Sequence, residues 1–346
     1  MAAALAACGS AGSSPQDGPG ADAGSFVNEG GTIGRFVTGG GDDASSAAVV
    51  ASALQFVPMA TTLTVDGTTP QTTAFQLQAT VNGQVESVAP TSLQFDRPDL
   101  ATATIGSPVS VTASGVYGGV GTLHALFGGL EATAKLTIVV AQRDLGTVPG
   151  TVATALDNAG TTPSDAAVTT IAYPYDKTVF PLGLTAPIVM WTAPTGGMHA
   201  NDVYRLHLSE GAYTYDGYTT TPLPATSPDP SAAQWAIPQA VWDRVTASNS
   251  GPSDPLHVVL SRYDAGTMAA AASASLTWTV APASLRGAIY YWTASRSTAL
   301  DGGAVASVGH ITRMAPGTGA QPVQLNSGRC MGCHAVSADG TTLVAA

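Results

Sequence analysis

Apolar side chains recur at every second position in a series of short runs between residues 55 and 142. They are Leu63 and Val65; Phe75, Leu77, Ala79 and Val81; Val109, Val111 and Ala113; and Leu136, Ile138 and Val140. A period of two puts each set on one face of an extended segment, so each run predicts a half-buried β-strand. Turn signals separate the runs. Asp66-Gly67 and Asn82-Gly83 predict hairpin turns, because such pairs tolerate the positive φ of a tight reversal. Pro58, Pro70, Pro90, Pro98 and Pro108 fall between runs, where a missing N–H breaks no ladder. One small β-domain over 55–142 follows.

Residues 143–167, rich in Thr, Pro, Gly and Asp, predict a linker. Strand-like segments resume at 173–181, 186–191, 204–208, 276–280 and 288–292. Asp301-Gly302-Gly303 then turns the chain back into 308–313. A second β-unit over 168–318 is expected, with Trp191, Trp235, Trp242, Trp278 and Trp292 as core residues rather than a sugar-stacking platform. No internal repeat of solenoid or propeller type runs through residues 1–329. The fold class expected is all-β: two tandem sandwiches, a flexible N-terminal tail and a short C-terminal segment.

Composition narrows the function. Only 10% of residues are charged, against about 25% in ordinary soluble domains. The net charge is -11, and Lys135 and Lys177 are the only lysines. Scattered arginines on an acidic chain make no phosphate-binding surface, which argues against nucleic acid and against a basic membrane patch. No apolar run reaches the ~18 residues of a membrane-spanning helix. Residues 47–60 come nearest, interrupted by Gln55 and Pro58.

Two stretches resemble known modules. Gly121-Thr122-Leu123-His124-Ala125, the Gly128-Gly129 turn and Ala132-Thr133 leading to Leu136-Thr137-Ile138 are similar to the closing strands of the group 2 bacterial immunoglobulin-like domain. That resemblance implies a spacer or adhesion module over 55–142. The second unit resembles the opening of a fibronectin type III sandwich: a proline-marked edge strand, a strand carrying Trp191, and a partner carrying Tyr204.

At the N-terminus, Leu5-Ala6-Ala7-Cys8 resembles the lipobox of bacterial lipoproteins, which implies lipidation of Cys8 and a membrane anchor there. Residues 1–8 would then be a signal remnant and 9–54 a flexible Gly/Ser/Ala tether. No basic residue precedes Cys8, and the apolar run before it is shorter than the ~7–15 residues of a secretory core. A start upstream of Met1 is therefore expected. The competing reading is an Ala-rich tail that contains Leu-Ala-Ala-Cys by coincidence.

Cys330-Met331-Gly332-Cys333-His334 satisfies the C-x-x-C-H pattern of covalent haem attachment. Two thiols three positions apart can reach both vinyl groups of one porphyrin, and the adjacent histidine is then held at the iron as an axial ligand. Two of the three cysteines fall in this pentapeptide. Three alternatives compete: a redox C-x-x-C, a local disulfide, and a zinc site built from His310, Cys330, Cys333 and His334. A thioredoxin-like pair belongs at a strand–helix junction, which the flanking pattern lacks. The second axial position is open to Met314 or His310, or to water. Met331, inside the attachment loop, is poorly placed. The bland readings are Met314 as core or surface filler and His310 as a solvated strand residue.

The flank Ser337-Ala-Asp339-Gly340-Thr-Thr-Leu343-Val344 resembles envelope proteins in which C-x-x-C-H precedes a Tol-type β-propeller. By that resemblance, 319–346 holds the haem motif and the start of a first blade, with further blades expected beyond residue 346. No G-x-S-x-G, H-E-x-x-H or phosphate-loop motif occurs, and His124, His199, His207 and His257 have no metal spacing. The expected function is an exported, lipid-anchored carrier of haem c, passing electrons to a redox partner the sequence does not name. An adhesion or scaffold protein with a surface glycan or protein partner is the alternative. A haem enzyme with its catalytic domain beyond residue 346 is a third.

Overall fold

The structure is a computed structural model that describes residues 50–168, 170–192, 201–220, 222–224, 232–285, 287–296, 307–317, 322–325, 334–338 and 341–345. The first nine strands are β1 (Ala51–Val57), β2 (Ala60–Val65), β3 (Gln71–Val81), β4 (Gln84–Ser87), β5 (Ser92–Phe95), β6 (Ala101–Thr104), β7 (Val109–Ala113), β8 (Gly119–Phe127) and β9 (Leu130–Asp144). One sheet runs β1-β3-β7-β6, with β4 added beside β3, and the facing strands run β5-β8-β9-β2. In the immunoglobulin sandwich strands A, B, E and D share one sheet while C, F and G form the other. Here β1, β3, β7 and β6 take the first set of places and β5, β8 and β9 the second.

The alternation that predicted the strands now has its cause. Phe56, Phe75, Leu77 and Val109 from one sheet meet Leu123, Leu136 and Ile138 from the other, and all are fully buried. Phe56 and Phe75 pack edge-to-face at 6.0 Å. Asn82 and Gly83 both take positive φ and close the β3–β4 hairpin, as expected. Asp66-Gly67 does not close a hairpin, because β2 and β3 lie in different sheets. The pair instead carries the chain across the sandwich. The Asp66 carboxylate accepts hydrogen bonds from the N–H groups of Thr68 (2.8 Å) and Thr69 (2.7 Å), which fixes the crossing.

The segment expected as a linker contains a helix, α1 (Gly150–Asp157), which starts after Pro149 and buries Ala153 and Leu156. Nine further strands follow: β10 (Ile171–Tyr173), β11 (Val179–Leu182), β12 (Ile188–Thr192), β13 (Val203–Ser209), β14 (Tyr213–Thr219), β15 (Leu223–Pro224), β16 (Ala232–Ala236), β17 (Leu256–Asp264) and β18 (Ala269–Ser284). A second helix, α2 (Gln239–Ser248), lies between β16 and β17. The sheet β10-β12-β16-β15 faces β11-β18-β17-β13-β14. Trp191, Trp242 and Trp278 are fully buried, and Phe180 meets Trp242 and Trp278 edge-on at 5.0 and 5.2 Å. Trp235 is only half-buried and Trp292 is 48% exposed, so the core reading fails for Trp292.

The two sandwiches share a sheet. The last five residues of β9 pair in parallel with Tyr213–Gly217 of β14, so one nine-stranded sheet runs through both. The protein is therefore all-β, with two immunoglobulin-type sandwiches in tandem. Beyond them, β19 (Ile289–Arg296), β20 (Ser307–Met314) and β21 (Val323–Gln324) form a separate three-stranded sheet. The hairpin predicted across 288–313 forms, although its turn residues Asp301, Gly302 and Gly303 lie outside the described residues. Finally β22 (His334–Val336) pairs with β23 (Leu343–Ala345).

Candidate functional site

The β19–β20 hairpin positions the candidate ligands that precede the cysteine pair. Its antiparallel register sets Ile289 opposite Met314, Tyr291 opposite Thr312 and Thr293 opposite His310. Opposed residues share a face, and alternate positions along a strand do too. Met314 therefore stands with Ile289 and Tyr291.

That face closes one side of an apolar groove of about 460 Å³. The other walls come from the second sandwich, with Tyr173 at the end of β10, Phe180 in β11, and Ile188 and Met190 in β12. Pro322, just before β21, completes the rim. The amide that lines it is that of Gln239, whose Oε1 accepts from the Ala186 N–H (2.8 Å) and whose Nε2 donates to Asp243 (2.8 Å). Its amide is spent on holding the wall. Tyr173 and Tyr175 pack edge-to-face at 5.9 Å and stay 47% and 69% exposed. Burial, then the neighbouring Tyr173, pushes the Tyr291 phenol above its ordinary range, so it remains neutral. Volume, apolar lining and few convergent polar groups are the attributes of small-molecule and cofactor pockets.

The predicted site residues divide as follows. Cys8, Cys330 and Cys333 lie outside the described residues. His334 is half-buried and opens β22 opposite Ala345. Met314 is half-buried in the groove wall. His310 is 8% exposed and already engaged in an interaction, so it is not the solvated strand residue expected from sequence. Among the described residues no group of three or more His, Cys, Asp or Glu could hold a metal ion. No helix among the described residues is long and apolar enough to cross a membrane.

Sequence reasoning missed the groove. Tyr173 and Phe180 were legible only as edge-strand residues; the signal was the density of aromatics around Pro174 and Pro181.

Two polar clusters brace the shared sheet instead of forming a reactive centre. Arg205 of β13 contacts Asp216 of β14 through Nε (2.8 Å), and His207 Nδ1 lies 2.7 Å from the same oxygen. Asp157, at the end of α1, binds Arg143 (2.7 Å) and accepts the Tyr218 hydroxyl. In the second sandwich Arg262 holds Asp165 with two donors (2.9 and 3.1 Å) and reaches Asp202 at 3.3 Å.

A cavity of about 470 Å³ lies where the sandwiches join, lined by Gly118, Ala212, Ser248, Asn249 and Asp254. Glu210, in the turn between β13 and β14, borders this junction. Its Oε2 accepts from Asn249 (2.5 Å), while Oε1 is buried with no hydrogen-bond partner among the described residues. Burial pushes this carboxyl up to about 8, against the Asn249 hydrogen bond and with help from Asp254. A raised native value means that the folded chain binds a proton the unfolded chain has lost between about pH 4.3 and pH 8. Stability from this group is present below that window and falls as pH rises through it. Glu210→Gln is expected to flatten the loss and to be the more stable form at pH 9 by roughly 1–3 kcal/mol, the cost of an unsatisfied buried polar group. Urea unfolding of both proteins at pH 5, 7 and 9 checks this, and parallel pH profiles would refute it.

No family model matches the sequence, and no curated protein matches it. Among solved structures the chain is similar to titin domains Z1Z2 in complex with telethonin, at 9% identity over 66% of this chain and 92% of that one, with a TM-score of 0.19. Domains 5–6 of the S-layer protein SbsC match at 11% identity over 67% and 98%, with a TM-score of 0.23. The D1–D4 ectodomain fragment of ICAM-5 matches at 10% identity over 82% and 78%, with a TM-score of 0.19.

Proposed function

We propose that this chain is an exported electron carrier of the bacterial cell envelope that holds haem c through Cys330 and Cys333. A lipid on Cys8 anchors it, and the sandwiches act as a spacer between anchor and haem. The observation that carries this reading is the pentapeptide Cys330-Met331-Gly332-Cys333-His334, which absorbs two of the three cysteines. Cys330 and Cys333 would hold the haem through thioethers and His334 would offer it an imidazole nitrogen, while the bound haem would supply a reversible one-electron change.

The donors among the described residues fit that group. His334 is half-buried next to the attachment cysteines in sequence, and Met314 offers a neutral thioether beside an apolar groove. The braced sheet adds support, because a spacer whose modules share β9–β14 pairing holds its ends in a defined relation.

Exporting the chain together with a haem c maturation system is expected to give a red protein with a c-type pyridine haemochrome and the mass of one haem on the pentapeptide. Replacing both Cys330 and Cys333 by serine is expected to abolish both signals. A colourless wild-type product of unmodified mass overturns the proposal. The exposed pair Tyr173 and Tyr175 favours a second reading, an adhesion module that stacks a glycan or partner on these rings. Binding that survives the double serine variant would support that reading.

A further inference from the structure

We propose that the cavity where the two sandwiches join binds a small, neutral, polyhydroxylated molecule, a free sugar or the end of a glycan chain. Arg97 of the first sandwich grips it from one side, and Ser253 and Asp254 of the second from the other. The site is independent of the haem reading. Its walls come from both modules. Arg97 follows β5, Gly118 and Gly119 open β8, and Ser248 to Asp254 run from the end of α2 towards β17. The volume of about 470 Å³ lies within the ~300–1,000 Å³ of small-molecule sites, which favour the interfaces between domains. Backbone sets much of its shape. A Cβ at Gly118 would stand 2.0 Å from the Ala212 carbonyl oxygen, and one at Gly211 would stand 3.2 Å from Asp254 Oδ1. The N–H groups of these two glycines are held by Ser248 Oγ (2.9 Å) and Asp254 Oδ1 (2.8 Å), so the walls are in place before a ligand arrives.

Three polar groups on these walls keep bonding capacity to spare. Arg97 spends Nε and Nη2 on Asp99 (2.9 and 2.6 Å), which leaves Nη1. That nitrogen stands 3.8 Å from the place a Cβ on Gly119 would take, at the cavity wall. Ser253 is exposed, and its hydroxyl has no hydrogen-bond partner among the described residues. Asp254 accepts from Gly211, from the Ser250 N–H (3.1 Å) and from the Ser250 hydroxyl (2.9 Å). A carboxylate offers about four lone-pair sites, so one remains. Burial works to raise the Asp254 carboxyl, but the Gly211 and Ser250 N–H groups outweigh it, and the group stays a charged acceptor.

Charge decides the class of ligand. Asp99 neutralises Arg97, and Asp254 adds a negative charge, so an anion gains nothing here. A cation meets the guanidinium and finds Asp254 already holding three donors. A neutral hydroxyl suits both walls, because it can accept from Arg97 Nη1 and donate to Asp254. A molecule with several hydroxyls does both at once and reaches Ser253 as well. Hydrogen bonds with one charged partner are the stronger kind, which is where the affinity comes from.

Titration calorimetry of the full chain tests this, with glucose, galactose and N-acetylglucosamine as neutral probes and glucuronate and glucosamine as charged counterparts. At least one neutral sugar is expected to bind and to raise the unfolding temperature, as a ligand of the native state must. Glucuronate and glucosamine are expected to bind more weakly. Arg97→Met should weaken the neutral sugar about ten- to a hundredfold, the loss of a hydrogen bond to a charged group. The Arg97–Asp99 pair is exposed, so breaking it costs the fold little. Ser253→Trp fills the cavity mouth and should abolish binding, with circular dichroism checking that the chain still folds. Tyr173→Ala should bind as the wild type does. Retention on a polysaccharide of the bound sugar points to a chain end as the source, and binding without retention to the free sugar. The site is overturned if no neutral sugar binds, if a charged counterpart binds more tightly, or if Arg97→Met and Ser253→Trp both keep wild-type affinity. None of these results touches the haem reading.

Discussion

Arg262→Ala is expected to destabilise the second sandwich by about 3–5 kcal/mol, the cost of removing one partner from a buried ion pair. Arg262 lies in β17 at 6% exposure, and the carboxylates it holds, Asp165 and Asp202, are exposed by only 5% and 1%. Burial works to raise the Asp165 carboxyl. The Arg262 pair, the Ala167 N–H and the Ser273 hydroxyl outweigh it and hold the group below its usual range. Without the guanidinium, Asp165 keeps only the Ala167 N–H and the Ser273 hydroxyl against the burial that raises its carboxyl. The sign of the pH dependence then turns over. In the wild type, stability from Asp165 is present above about pH 4 and lost on acidification, because the native value is depressed. In the variant the native value rises, and acidification helps. Urea midpoints at pH 7 and pH 4 should therefore converge for the two proteins. Asp165→Asn in the alanine background should recover part of the loss. A cost under 1 kcal/mol at pH 7 would show that the cluster is ornamental.

The strand pattern of the first sandwich was legible because burial of one sheet face imposes a local period. Val109, Val111 and Ala113 alternate in sequence and are the buried positions of β7. Gly128-Gly129 was legible for a comparable reason, since both residues take positive φ in the turn between β8 and β9. Features assembled from distant segments left no such trace. The parallel pairing of β9 with β14 joins residues about seventy positions apart, and 143–144 carry only polar side chains that look like linker. α1 has no side-chain cap, no acidic residue in its first turn and no basic residue in its last, so nothing local announced it. Arg262 reads as an exposed strand residue until Asp165, almost a hundred positions away, folds beside it. The groove draws on residues 173–190, 236–239 and 289–322. The C-x-x-C-H pentapeptide is the opposite case: the whole pattern lies within five residues, so it can be read without any knowledge of the fold.

That long-range joint between sandwiches turns on one glycine. A Cβ at Gly118 would stand 2.0 Å from the carbonyl oxygen of Ala212 and 2.9 Å from its carbon, and backbone atoms there have little room to yield. The same carbonyl accepts the Val140 N–H at 3.0 Å, where β14 begins its pairing with β9. Gly118 in turn donates its N–H to the buried Ser248 Oγ at 2.9 Å, tying the start of β8 to the end of α2. Gly118→Ala must push the β13–β14 turn away and break this set together. We expect a loss of about 1–3 kcal/mol, the usual cost of overpacking a filled site. We also expect unfolding to become less cooperative, with a broadened or split transition, because the sheet that runs through both sandwiches is cut at this joint. Gly150→Ala is the control: nothing lies within 4 Å of a Cβ there, it opens α1, and alanine should be neutral or slightly stabilising. Scanning calorimetry of the three proteins, with limited proteolysis between residues 145 and 168 as a second readout, distinguishes the outcomes. A single unshifted transition in Gly118→Ala would mean that the sandwiches do not depend on the shared sheet for their coupling.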